Sequence, residues 1–170
     1  VSVRGFNSRF ANKLLVLIDG RSVYSPLFSG VLWEMEGTLL EDIARIEVIR
    51  GPGAALWGAN AVNGVINIIT RKARETQGVL LATGAGNVER GSVAARWGAE
   101  LPGGQYRVWA KTESHRAFDD AAGNPGNDAW RSARLGFRAD TELHSGDALT
   151  LSGSVASSRA GDRWYEASLL

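Results

Sequence analysis

The residues best suited by type and spacing to do chemistry are the glycines of "RIEVIRGPGAALWGANAVNGVINIIT", Arg45 to Thr70. A strand that runs into Gly51-Pro52-Gly53 and then into a helical turn, "AALW", is the arrangement by which backbone N–H groups cradle a phosphate. The details oppose that use. A dinucleotide loop needs glycine or alanine at the sixth position of its fingerprint, and Leu56 stands there. A Walker A loop needs Lys and Ser/Thr after its last glycine, whereas Gly58 is followed by Ala59 and Asn60. Pro52 removes a donor. Too few residues lie between the two strands to hold a full crossover helix comfortably.

Other chemistries find no residue set. There is no cysteine, hence no thiol nucleophile, disulfide or Cys-based metal site. The two histidines, His115 and His144, are far apart in sequence. No G-x-S-x-G elbow occurs. Neither an enzyme, a resident metal nor a cofactor is expected. What remains is a bend whose glycines, Gly51, Gly53, Gly58 and Gly64, permit positive φ and close backbone approach.

The elements around the bend divide the 170-residue chain in two. Residues 1–76 mix strands with helical pieces. Leu14 to Ile18 is a continuous apolar run, ended by the turn pair Asp19-Gly20 and followed by a short returning strand in "RSVY". "EGTLLEDIARIEVI" reads as a capped helical turn starting near Thr38 and leading into a strand over Arg45 to Ile49. "GVINIIT" reads as a strand. A compact α+β unit is expected.

From residue 77 to 170 the pattern is period 2. Val93, Ala95, Trp97, Ala99 and Leu101 share one parity, and Ser92, Ala94, Arg96, Gly98 and Glu100 the other. The next strands repeat this. Tyr106, Val108, Ala110 and Thr112 oppose Arg107, Trp109, Lys111 and Glu113. Ala133, Leu135, Phe137, Ala139, Thr141 and Leu143 oppose Ser132, Arg134, Gly136, Arg138, Asp140 and Glu142. Leu149, Leu151 and Val155 continue the apolar parity, and Gly78 to Gly86 reads as the first strand of the series. An antiparallel sheet wetted on one face would show some of this. Strand length, a charge-free face and turns that alternate short and long fit an outer-membrane barrel as well. Five strands cannot close, since small barrels need about 8.

Net charge is +1, and no basic stripe points to nucleic acid. No run approaches the roughly 20 apolar residues of a spanning helix, which leaves a barrel open. The sequence opens on "VSVRGF" with no visible signal peptide and closes on "RWYEASLL" with no stop, as a fragment would.

"LLVLIDG" followed by "LLEDIARIEVIRGPGAALWGANAVNGVINIITRK" resembles the second half of the plug domain of TonB-dependent outer-membrane transporters, with ordered matches from Val1 to Lys72. The alternating strands resemble the start of that family's barrel. The resemblance implies an α+β plug with a small mixed sheet at 1–76, then antiparallel transmembrane strands at 77–170, within a plugged barrel of about 22 strands. It implies a monomer in the outer membrane of a Gram-negative bacterium. It also implies uptake of a scarce nutrient, a ferric siderophore first, with cobalamin or haem as alternatives. A soluble α+β binding module is the competing reading from another class. The implied partners are TonB with ExbB–ExbD, acting through an N-terminal box outside this chain, together with the metal chelate and outer-membrane lipid.

By the same resemblance Arg4 and Arg50 match plug arginines that pair with barrel carboxylates. Gly5, Gly20, Gly51, Gly58 and Gly64 match structural glycines. Asn7, Ser8, Arg9, Phe10 and Tyr24 fall in plug loops that face the substrate. Arg45 and Glu47 share a strand face and read as a surface ion pair.

Overall fold

The run Leu14–Ile18 forms strand β1, whose first four residues are buried. In the computed structural model the described residues are 14–25, 30–31, 33, 36–119, 123, 126–143 and 146–161. Arg4, Gly5, Asn7, Ser8, Arg9, Phe10 and His144 lie outside them. The chain divides into two units, Val1–Glu75 and Thr76–Leu170.

In the first unit β1 is followed by β2 (Arg21–Ser22), β3 (Ile43–Arg50), a single helical turn α1 (Ala54–Trp57) and β4 (Gly64–Thr70). The strand order is β2-β1-β4-β3. β1 runs parallel to β4 and antiparallel to β2, and β3 runs antiparallel to β4, so the sheet is mixed. The continuous apolar run follows from this placement. Leu14 and Val16 pack with Val23 and Val31 on one face, while Leu15 and Leu17 pack with Ala61 and Val65 on the other. A strand covered on both sides has no wet face to alternate toward. The two-residue turn at Asp19-Gly20 has φ of 49° and 80°, as a type I′ hairpin requires.

One local expectation needs correction. The helical turn before β3 is a 3-10 turn at Leu40–Asp42, preceded by Leu39 with no side-chain cap, so Thr38 does not start it. Leu39 is almost fully buried there. A three-residue turn has few orphan N–H groups, and apolar anchoring at Leu39 takes the place of a hydroxyl cap.

The second unit contains five strands among the described residues: β5 (Gly78–Gly84), β6 (Glu89–Leu101), β7 (Gly104–His115), β8 (Trp130–Glu142) and β9 (Ala148–Ala160). They form an antiparallel meander in sequential order. β6 starts two residues earlier than the alternation suggests, because a register irregularity between Glu89 and Gly91 carries the strand through a bulge. The β6–β7 connection is only Pro102-Gly103, whereas β7 and β8 are joined by residues 116–129. No described helix is long and apolar enough to cross a membrane, which says nothing of a β-barrel.

Candidate functional site

The glycine bend between β3 and β4 uses its own donors. Gly51 N–H donates to Asn63 O (3.4 Å), Gly53 N–H to Ala61 O (2.8 Å) and Ala61 N–H to Gly58 O (3.0 Å). Leu56 and Trp57 N–H both donate to Gly53 O. The Gly51, Gly53, Leu56 and Trp57 N–H groups are thus spent inside the bend and Pro52 has none to offer, which opposes the nucleotide-loop reading. The bend instead folds Ala61 under the sheet, where it is fully buried beside Val65, Leu15 and Leu17. Gly64 is required by close approach: a Cβ there would lie 2.7 Å from Ile49 O of the neighbouring strand. Gly51 and Gly58, both at positive φ, turn the chain at either side of α1, and Gly20 sits in the β1–β2 turn.

Arg50 ends β3 directly opposite Gly64. It is exposed, and its side chain has no ion-pair or hydrogen-bond partner among the described residues. Tyr24 follows β2, half-buried, with its N–H donating to Ser22 Oγ (3.3 Å). These two are the described members of the plug–barrel and substrate-loop sets.

Two polar sites in the plug have definite geometry. Asp19 accepts from Thr70 N–H (2.8 Å) and from Thr70 Oγ1 (2.7 Å), tying the β1–β2 turn to the end of β4. The turn pair was legible in the sequence, but its carboxylate's partner 51 residues away was not. Arg45 donates to Glu47 (2.7 Å) on one face of β3, a strand exposed on both faces, and Asn67 of β4 donates to the second oxygen (3.0 Å). The Arg45 hydrogen bond, then that of Asn67, holds the Glu47 carboxyl below its ordinary range.

The second unit inverts the usual burial. Its charged parity is the covered one: Arg107 is 2% exposed and Arg134 6%. Its apolar parity is open, with Leu135 at 58% and Leu151 at 61%, and Val79, Leu81, Trp97 and Val155 also exposed. A water-soluble sheet does not present a continuous apolar face of this kind. A sheet facing lipid does.

The covered face is organised by ion pairs. Glu113 accepts from Lys111 (2.9 Å), from Arg134, and from Ser132 Oγ (3.1 Å). Lys111 and Arg134 stand directly opposite each other across β7 and β8. Two like charges in that position repel, and the shared carboxylate offsets this. Further along, Arg138 Nε donates to both oxygens of Asp140 (3.1 and 2.9 Å), and Thr150 Oγ1 donates to Asp140 (2.8 Å). Sequence parity puts these residues on one face, but which acid serves which base depends on strand register.

Aromatic rings fill the places left by strand glycines. Trp109 lies over Gly136 on the covered face, where a Cβ would clash with the indole. Phe137 lies over Gly153 on the open face, where a Cβ would meet the ring at 2.9 Å. Such pairs pin register. Trp97 and Tyr106 meet edge to face, with centroids 5.6 Å apart. Among the described residues no cluster of His, Asp and Glu could hold a metal.

Comparison with known proteins places these features. Residues 1–65 match the model of the TonB-dependent Receptor Plug Domain. The chain is 32% identical over 142 residues to the vitamin B12 transporter BtuB of Vibrio cholerae, an alignment covering 83% of this chain and 22% of that protein. It is 46% identical over 78 residues to the iron-regulated outer membrane virulence protein of Vibrio cholerae, covering 42% of this chain and 11% of the relative. The solved structure of the ferric enterobactin receptor PfeA of Pseudomonas aeruginosa superposes with a TM-score of 0.63 at 20% identity, over 88% of this chain and 26% of that one. The chain thus spans about a quarter or less of the proteins it matches. By these matches, together with its mixed sheet, glycine bend and inverted strands, the chain belongs to the TonB-dependent receptors of the Gram-negative outer membrane, carrying plug sequence followed by antiparallel strands of the barrel.

Proposed function

We propose that the whole protein, of which this chain is part, is a monomeric energised transporter that imports a ferric siderophore across the outer membrane. Residues 1–76 act as the plug and residues 77–170 as the first barrel strands. The observation that supports this most is the sheet with charged residues covered and apolar residues open, joined in sequence to a plug fold. TonB, with ExbB–ExbD, supplies the pull through an N-terminal box. The likeness to the iron-regulated receptor supports the siderophore reading. The longer alignment with the vitamin B12 transporter supports cobalamin as the second reading, with haem a third member of the same cargo class.

Arg4 and Arg50 take barrel carboxylates as partners in this proposal. The absence of a described partner for the Arg50 side chain fits that role. A guanidinium fork binds a carboxylate bidentately and still releases under a directed pull. Asn7, Ser8, Arg9, Phe10 and Tyr24 contact the substrate from the plug loops. By residue type, the cation Arg9 and the aromatics Phe10 and Tyr24 suit an anionic, aromatic ferric chelate.

Uptake of a panel of ferric chelates, haem and cobalamin by cells with and without the full gene, with TonB present or deleted, tests this. TonB-dependent accumulation of one or more ferric chelates supports it. Accumulation of cobalamin alone moves the assignment to the second reading, and no TonB-dependent uptake contradicts transport.

A further inference from the structure

We propose that Arg116, Arg131 and Arg159, with Arg90 at the adjoining bulge, bind the anionic headgroup of a lipid in the outer leaflet. The proposal rests on the open face of β6–β9 being the lipid face.

The parity of the strands places these arginines. Arg131 shares its side of β8 with Ala133, Leu135 and Phe137, and Arg159 shares its side of β9 with Val155 and Leu151. The register sets Arg131 directly opposite Arg159, with Ser114 next in the row. Directly opposed like charges destabilise a strand pair unless a counter-charge sits between them. On the covered face the opposed Lys111 and Arg134 have Glu113. Neither Arg131 nor Arg159 on the open face, nor Arg90 or Arg116 beside them, has a side-chain ion pair or hydrogen bond among the described residues. All four are exposed, and they line one shallow concavity of about 540 Å³. The missing counter-charge therefore comes from outside the described chain.

Depth selects the source. From Arg131 toward the far end of β8, the same side carries only Ala133, Leu135, Phe137, Ala139 and Thr141. On β9 the corresponding side runs through Val155, Leu151 and Leu149, again without charge. That is about the 9–11 residues a tilted strand needs to cross the hydrocarbon. The arginines stand at the edge of this band, at headgroup level. They also stand at the end bearing the long 116–129 connection, opposite the two-residue Pro102-Gly103 turn. Barrels of this kind keep short turns inside and long loops outside, so the leaflet is the outer one. A guanidinium pair matches phosphate oxygens bidentately. The uncharged strip directly beneath it suits acyl chains, which a free anion or a polar substrate does not possess.

The test uses the full-length receptor in nanodiscs of phosphatidylcholine containing a minor share of phosphatidylglycerol, with retained lipids counted by native mass spectrometry. The wild type should retain phosphatidylglycerol preferentially. Arg131→Gln and Arg159→Gln should each weaken that preference by about five-fold. Arg131→Lys with Arg159→Lys should lose less, because charge is kept while the fork is lost. Equal preference in wild type and the double Gln variant would overturn the proposal. So would displacement of the retained lipid by millimolar inorganic phosphate, which marks a free-anion site, or a loss of chelate binding with lipid preference intact, which marks a substrate contact. A spin label at Leu135 distinguishes failure of the headgroup site from failure of the sheet's orientation. If it reports lipid while no preference exists, only the headgroup site fails; if it reports water, the orientation of the sheet fails too.

Discussion

In the first unit Val16 is 1% exposed and Val65 fully buried, while in the second Leu135 stands open and its chain neighbour Arg134 is covered. Both units are β-sheets made of similar residue types. They differ in which medium their apolar groups are sorted against. The plug sheet buries apolar side chains on both faces of β1 and leaves charges such as Arg45 and Glu47 at its exposed edge strand. The strand sheet holds its charges against one another on the covered face and turns leucine, valine and aromatics outward. The hydrophobic effect accounts for both the two-sided burial of β1 and the outward apolar parity of β5–β9, the latter with hydrocarbon outside; Ile46 and Val48 on β3 remain exposed.

Placing a charge in each apolar layer is the strongest way to break this contrast. Val16→Asp leaves an uncompensated carboxylate in the plug core and should cost about 3–5 kcal/mol, seen as protease sensitivity of the plug in an otherwise intact receptor. Leu135→Arg should cost about 2–4 kcal/mol if the residue sits near the bilayer midplane, measured by unfolding from lipid vesicles. For a soluble protein the same exposed-site change would be close to neutral.

Smaller effects sharpen the comparison. Glu113→Leu makes the covered face more apolar, which would suit an ordinary core. Here it leaves Lys111 and Arg134 opposed without their acceptor and should destabilise by about 1.5–3 kcal/mol in the same assay. Asp19→Ala removes both hydrogen bonds to Thr70 and should cost about 1–2 kcal/mol, read as faster amide exchange at Thr70.

The smallest effect is that of pH on the exposed Arg45–Glu47 pair. A carboxylate whose pKa is lowered by folding adds stability that is fully present above its ordinary range and is lost as pH falls through its lowered value. Plug stability should therefore decline slightly on acidification below the ordinary carboxylate range, and Glu47→Gln should remove that component.

Much of this contrast was legible in the residues. The unbroken run Leu14 to Ile18 announced a strand covered on both sides, and the strict parity from Ser92 to Val155 announced two unlike faces. The turn at Asp19-Gly20 and the helical turn "AALW" have strong local signals, since each needs only neighbouring residues. What was not legible depends on register. Glu113 and Arg134 are 21 residues apart and meet only once β7 and β8 are aligned. Trp109 could be assigned to the covered parity, but that its ring replaces the missing side chain of Gly136 could not. The expected cap at Thr38 failed because burial of Leu39 outweighed a local hydroxyl preference. The expected charge-free face holds only between the strand ends, since Arg131 and Arg159 share the outward parity; alternation alone shows that, whereas their face-to-face placement needs the β8–β9 pairing.

The most direct measurement is the collision environment of nitroxide labels at Ala95, Leu135 and Leu151 in the full-length receptor reconstituted in bilayers. These three residues lie on the open parity of β6, β8 and β9. Sorting against hydrocarbon predicts that all three labels collide readily with dissolved oxygen and poorly with a water-soluble nickel chelate. Free access of the nickel chelate to all three would contradict it.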